Sequence, residues 1–215
     1  MAEAGLETGV PDSVAEAIRA DILAGELVPG QRLVEADLTE RYAASRGAVR
    51  NALARLDHAG LVERVANRGA RVRSVSVEEA VAITEVRMVV EGLCGAKAAE
   101  NIADDEIEEL REIGRRMQDA VATGEISTYS ALNSRLHDRI RAIADQPAAT
   151  EVLELLLARN VRHQFRLAMR PGRPAVSLPQ HLAMIEAITA RDPEGAERAV
   201  RAHIASVIEA LRDLA

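Results

Sequence analysis

The segment NSRLHDRI, residues 133–140, sets an amide and an imidazole four residues apart. On a helix both side chains leave the same face, one turn from each other. Three environments accommodate Asn133 and His137 so placed: a solvated edge, a hydrogen-bonded core pair, or half of a metal site. The chain has five histidines, at 58, 137, 163, 181 and 203, and one cysteine, Cys94. A second set of residues carries charge instead of ligating atoms. Eight arginines between Arg41 and Arg73 face two acids, a local +6 in a chain of net charge −7, which leaves −13 for the remainder. A basic patch on an acidic protein is a local footprint for a phosphate backbone. Within it Arg46 and Arg50 stand one helical turn apart, where each can fork onto guanine O6/N7 or grip a phosphate.

These residues need elements to position them. A length of 215 residues suggests one small and one medium domain. Hydrophobic residues make up 48% and aromatics only 1%, so the core must be built from Leu, Ile, Val, Ala and Met, which favours helices over a β-sandwich. The single Cys94 excludes an intrachain disulfide framework and fits a reducing interior. Its surroundings, GLCGA, read as tight helix packing. No apolar run approaches the ~18 residues of a membrane span, and MAEAGLETG lacks a signal pattern. A cytoplasmic protein with no membrane partner is expected.

Along the first 75 residues, Val14, Ile18, Ile22 and Leu23 repeat at helical spacing behind the N-cap candidates Asp12 and Ser13. Leu33, Leu38 and Tyr42 suggest a second, short helix. Ser45 can cap a third, whose stripe is Val49, Leu53 and Leu56. Residues 61–65 and 70–75 read as two strands with Asn67-Arg68-Gly69 as their hairpin. Three helices and a hairpin make a winged helix-turn-helix. From residue 76 onward the pattern is helical throughout, with helices expected at 78–101, 104–122, 127–144, 148–168, 177–190 and 193–213. The predicted fold is therefore mainly α: a winged helix-turn-helix over 1–75 and an antiparallel all-helical bundle of six to seven helices over 76–215.

The stretch PGQRLVEADLTERYAASRGAVRNALARLDHAGLVERVANRGARV resembles the DNA-binding domain of GntR-family bacterial regulators. It shares their Pro-Gly turn, the Ser-Arg-x-x-Val-Arg that opens the third helix, the Ala-Leu-x-x-Leu inside it, and a Gly-containing wing. The resemblance implies DNA contacts from Ser45, Arg46, Gly47 and Arg50 at the start of the recognition helix, with Arg68 and Gly69 in the wing. Where the family often has a further basic contact, this chain has Ala36. The remainder resembles the all-helical FCD effector domain of the FadR-like branch. TEVRMVVEGLCGAKAAE looks like its opening helix, LNSRLHDRI like its Asp/Asn-x-x-Phe-His segment, and PQHLAMIEAITARDPEGAERAVRAHI like its last two helices. Carried over position by position, the resemblance implies a divalent metal, Zn in the first instance with Ni, Fe or Mn as options, held by Asn133, His137, His181 and His203. Asn133 replaces the more usual carboxylate, and Leu136 the more usual Phe.

Helix geometry bears on that reading independently. His203 shares a face with Ala196, Val200, Ile204, Val207 and Leu211; His181 is in step with Leu178, Ile185 and Ile188; His137 travels with Leu136, Ile140 and Ile143. Three imidazoles thus face one interior from three helices, and such a group is hard to satisfy without an ion or water. His58 and His163 fall outside the pattern as structural or solvent-exposed residues. Arg87 has two readings: it binds an effector carboxylate bidentately, or it pairs with Glu91 or another acid. The expected function is a homodimeric transcription regulator whose affinity for double-stranded operator DNA is set by a small organic acid beside the metal. One alternative is a metal-sensing regulator in which the ion is the signal. A more remote one is a metalloenzyme fused to a DNA-binding domain, for which the histidine-bearing helices offer no inward acid at convincing spacing, although Asp138 is close.

Overall fold

Among the residues that the computed structural model describes, 14–65, 69–168 and 170–214, nine helices and three short strands alternate in a fixed order. They are α1 (Val14–Ala24), β1 (Arg32–Leu33), α2 (Glu35–Arg41), α3 (Arg46–His58), β2 (Val62–Val65) and β3 (Gly69–Val72), followed by helices alone. These are α4 (Val77–Asn101), α5 (Asp104–Thr123), α6 (Ile126–Ala144), α7 (Pro147–Ala168), α8 (Arg173–Thr189) and α9 (Pro193–Arg212). The chain divides into two units, one ending at Ser74 and one beginning at Val75. The expected caps Asp12 and Ser13 lie outside the described residues, as do Asn67 and Arg68 of the expected hairpin turn.

In the first unit, α3 begins directly after Ser45, whose backbone is extended: its side chain accepts the Ala48 N–H at 3.2 Å and satisfies one of the free donors of the first turn. Val49, Ala52, Leu53 and Leu56 then form the buried stripe that packs on α1 and α2. The two expected strands are present, and a third joins them. Arg32–Leu33 forms β1, giving an antiparallel sheet of order β1-β3-β2 with Leu33 opposite Ala70 and Val62 opposite Val72. Leu33 therefore belongs to the sheet and not to the second helix, a correction to the sequence reading. Two residues are too short to show alternation, so the strand exists only through its partner. Gly69 has φ +85°, and a Cβ there would meet the Leu33 carbonyl oxygen at 3.1 Å, so the β3 edge takes glycine for both reasons.

The second unit is a helical bundle organised on α4, which packs against α6, α7, α8 and α9. Its core is Leu, Ile, Met and Ala with Val200, Cys94 and one tyrosine, as the composition requires. The closest approach is between α4 and α9. A Cβ at Gly95 would stand 2.7 Å from Val200 Cγ2 and 3.1 Å from the Ala196 carbonyl oxygen, while Cys94 beside it is 1% exposed. The glycines of GLCGA thus let two helices touch, and the thiol between them is packing material whose pKa is raised by burial and then by the Glu91 charge. α8 begins at Arg173, four residues earlier than expected. Gly172 takes the left-handed conformation before it, and Pro174 sits in the first turn, where a missing N–H costs nothing. Among the described residues no helix is long and apolar enough to cross a membrane.

Replacing Gly95 by Ala is expected to destabilise the helical unit by about 1–3 kcal/mol in urea unfolding, despite alanine's higher helix propensity, because the clash includes backbone. An unchanged midpoint would mean that α4 and α9 do not approach as closely as described.

Candidate metal and effector site

Three imidazoles converge from α6, α8 and α9. One nitrogen from each of His137, His181 and His203 falls within a common 4.8 Å of the others, and the ring centroids are 4.3–5.7 Å apart. The rings are buried in the aliphatic core: His181 is 1% and His203 4% exposed, with His137 at the edge. Three nitrogens bound to one ion at ~2.0–2.1 Å stand about 3.4 Å apart, so closing the set around Zn²⁺ needs ring shifts of about an ångström.

The other nitrogen of each ring is already occupied. His137 Nδ1 donates to Glu91 Oε2 at 3.1 Å, and His203 Nδ1 donates to Gln180 Oε1 at 3.0 Å. A carboxylate and an amide oxygen can only accept, so in both rings the proton is on Nδ1 and the Nε2 lone pair is left for an ion. His181 Nδ1 lies 2.8 Å from the Tyr129 hydroxyl, and its buried Nε2 has no partner among the described residues. With the proton on Nδ1, that atom too is a ligand. Holding the far nitrogen with a hydrogen bond is how metal-binding histidines are oriented. The donor set therefore fits a divalent ion of the zinc type.

Asn133 is half-buried on α6, one turn before His137, and among the described residues its side chain makes no hydrogen bond. Arg87 is 6% exposed and realises the second of its two readings, since Nε and Nη2 both donate to Glu91 Oε1 at 2.9 and 2.6 Å. Its Nη1 remains buried without a partner. Glu91 is the residue that sequence reasoning undervalued. It is an inward acid on α4, 3% exposed, and it ties Arg87 to His137. Burial would raise its carboxyl, but the Arg87 guanidinium and the His137 hydrogen bond outweigh this and hold it well below the usual range. Its spacing from Arg87 was visible; its contact with a histidine on another helix was not. Asp138 instead points outward and pairs with Arg141. Tyr129 and Gln180 gave no local signal at all. His163 is structural, bonded through Nε2 to the Val75 carbonyl at 2.8 Å, and His58 is exposed.

In the first unit, the predicted DNA-contacting residues cluster at the start of α3. Ser45, Arg46, Gly47 and Arg50 are exposed there, and the Ser45 hydroxyl accepts the capping bond while its hydrogen remains able to donate. A Cβ at Gly47 would meet nothing closer than Ser45 Oγ at 3.9 Å, so packing within the chain does not require glycine at this position. Arg50 Nε donates to Glu35 Oε2 on α2 at 2.8 Å, leaving the guanidinium largely in solvent. Arg68 lies outside the described residues.

Two family patterns match the chain: "Bacterial regulatory proteins, gntR family" over residues 11–72 and "FCD domain" over residues 82–206. The HTH-type transcriptional repressor RspR of Escherichia coli K12 is 26% identical over 197 residues, covering 92% of this chain and 86% of the relative. The uncharacterized HTH-type transcriptional regulator BphR of Paraburkholderia xenovorans is 30% identical over 206 residues, covering 91% of this chain and 82% of the relative. Among solved structures, E. coli McbR/YncC has the same fold, with a TM-score of 0.78 at 24% identity over 94% of this chain and 96% of that one.

Burial, reinforced by the neighbouring His137, pushes His203 down to about 3. Burial and the charges of His203, His137 and Arg173 push His181 well below its ordinary value. An unfolded chain takes up protons on both near pH 6.5, whereas the folded one does not, so stability falls as pH falls below 6.5. For metal-stripped protein the expected slope between pH 6.5 and 5 is up to about 1.4 kcal/mol per pH unit for each of the two rings. His203→Gln should roughly halve it. A flat unfolding profile over that window would show that these imidazoles are not buried neutral.

Proposed function

On the premise that this chain belongs to the GntR family of bacterial transcriptional regulators and carries its FCD domain, we propose that it binds operator DNA as a homodimer under the control of a small organic acid. The acid sits beside a divalent metal ion in the helical unit. Residues 1–75 supply the DNA contacts and residues 76–215 the effector site and the dimer interface. The observation that carries the reading is the histidine triad itself, with three far nitrogens tied and a buried near nitrogen on His181 left without a partner. His137, His181 and His203 would hold the ion, with the Asn133 amide oxygen as a fourth ligand. Arg87 Nη1 is the donor available to the effector carboxylate. The ion's part is to bind and polarise the acid.

At the DNA, Arg46 and Arg50 read or grip from the start of the recognition helix, with Ser45 and the first amides of α3 suited to a phosphate and Gly47 leaving room for the backbone to approach. Arg68 and Gly69 serve the wing. The Glu35 contact keeps Arg50 extended on the α3 surface until DNA replaces it. RspR is a repressor by name, and repression is the mode proposed here by similarity.

Homodimerisation draws on the outward face of α4. Val86, Val89 and Leu93 are 49%, 51% and 44% exposed, in step with Ala82 at spacings of three and four, which is how one helix packs along another. On α7, which packs against α4, Val152 and Leu155 add further exposed apolar surface. A two-fold dimer matches a near-palindromic operator with half-sites one helical turn apart.

Three measurements test these assignments. Protein prepared without an affinity tag should contain one divalent ion per chain by elemental analysis; His203→Ala should lose it and Asn133→Asp should hold it more tightly. Metal-free native protein that still responds to its acid would remove the ion from the mechanism. Arg46→Ala should weaken binding to the operator beside its own gene by ~10- to 100-fold, with little effect on non-specific binding at matched salt. Equal loss on both kinds of DNA would reassign Arg46 to phosphate. Val89→Glu should shift the sedimenting species from dimer to monomer; a dimer that survives would place the interface elsewhere.

A further inference from the structure

Arg173 opens α8 half-buried, and among the described residues it pairs with no carboxylate. Arg139, similarly placed, is bracketed by Glu106 and Glu109, and Arg87 is matched by Glu91. Arg173 has only Ser206: Nη2 donates to its hydroxyl at 2.9 Å and Nη1 to its carbonyl at 3.3 Å. Burial lowers its pKa, as for a cation that lacks a counter-charge.

Its connections lead to the histidines. Ser206 Oγ donates to Gln180 Oε1 at 2.9 Å, and the same oxygen accepts His203 Nδ1–H at 3.0 Å. On the other flank Arg87 reaches His137 through Glu91. Two guanidiniums, one from α4 and one from α8, are thus each linked through hydrogen bonds to a histidine of the triad. Against these cations Glu91 is the one buried carboxylate among the described residues. A divalent ion would add two more positive charges, and Arg87 Nη1 and His181 Nε2 already stand buried and unpartnered. A ligand with one carboxylate neutralises one flank and leaves the other bare.

We infer that Arg173 is a second anion-binding group of this pocket and that the effector carries two acidic groups, one met by the ion and Arg87 and the other by Arg173. The inference rests on the organic-acid reading above and narrows it to a class, the dianionic acids. The fork geometry of a guanidinium suits a carboxylate in particular.

The test is isothermal titration of the metal-loaded, full-length protein with succinate and glutarate against butyrate and pentanoate, at matched ionic strength. Dicarboxylates are expected to bind about tenfold or more tightly than the monoacids of equal length, the difference made by one charge-assisted contact. Arg173→Gln keeps a donor for Ser206 and removes the charge, and should bring the two classes to within about twofold; Arg173→Met should do the same without the donor. Metal content and melting temperature are measured alongside. Equal affinity of native protein for both classes, or a preference that survives both substitutions, overturns this inference alone. Absence of binding by either class at normal metal content overturns the organic-acid reading with it. The native comparison stands even if neither variant folds.

Discussion

The Glu91 carboxylate is the fixed point of the helical unit. It is buried in an aliphatic core, where an isolated charge is prohibitively costly, and it is tolerated because both oxygens are engaged, one by Arg87 and one by His137. That arrangement has a direct consequence for chemistry. A carboxylate can only accept, so it puts the His137 proton on Nδ1 and leaves the Nε2 lone pair free. Gln180 imposes the same choice on His203. The tautomers of a candidate metal site are thus set by residues that would never touch the metal.

Bringing those residues together depends on how closely α4 and α9 pass. Gly92 and Gly95 lie where a side chain would meet Arg201, Val200 and the Ala196 carbonyl, so their absence of side chains sets the helix separation. On α4, Glu91 precedes this crossing directly, and on α9, His203 follows Val200 by one turn. A bulkier residue at the crossing would move the acid and the imidazole apart together. Packing and site geometry are one constraint here, which is why small residues crowd a stretch that does no chemistry itself.

What was legible in the sequence divides along the same line. Signals that are local in the chain read correctly: the Ser45 cap, the Val49-Leu53-Leu56 stripe, the inward faces of His137, His181 and His203, and the small-residue packing around Cys94. Structure that exists only by pairing did not. β1 is two residues long and owes its existence to β3, so Leu33 looked helical. The start of α8 was misplaced because PGRP carries two prolines, one of which belongs in a first turn; the error hid Arg173 outside the helix. Glu91 was noticed for its spacing from Arg87, yet its role depends on a histidine forty-six positions away. Tyr129 and Gln180 contribute a hydroxyl and an amide, residue types with no periodic signature, and only their position beside an imidazole gives them meaning.

A site of this kind also carries a cost that bears on switching. Buried polar groups left without partners, here His181 Nε2 and Arg87 Nη1, each cost about 1–3 kcal/mol relative to a satisfied group. An ion and an anion that satisfy them return that free energy to whichever arrangement of helices holds the groups in reach. A ligand shifts an equilibrium only by its difference in affinity between two states. Unsatisfied groups on α4 and α8, beside imidazoles from α6 and α9, make that difference large, because the ligand must find several helices correctly placed at once. On the proposed reading, coupling between effector and DNA needs no dedicated wire from the pocket; it needs only that the helix arrangement favoured by the filled site differ from the one favoured by the operator.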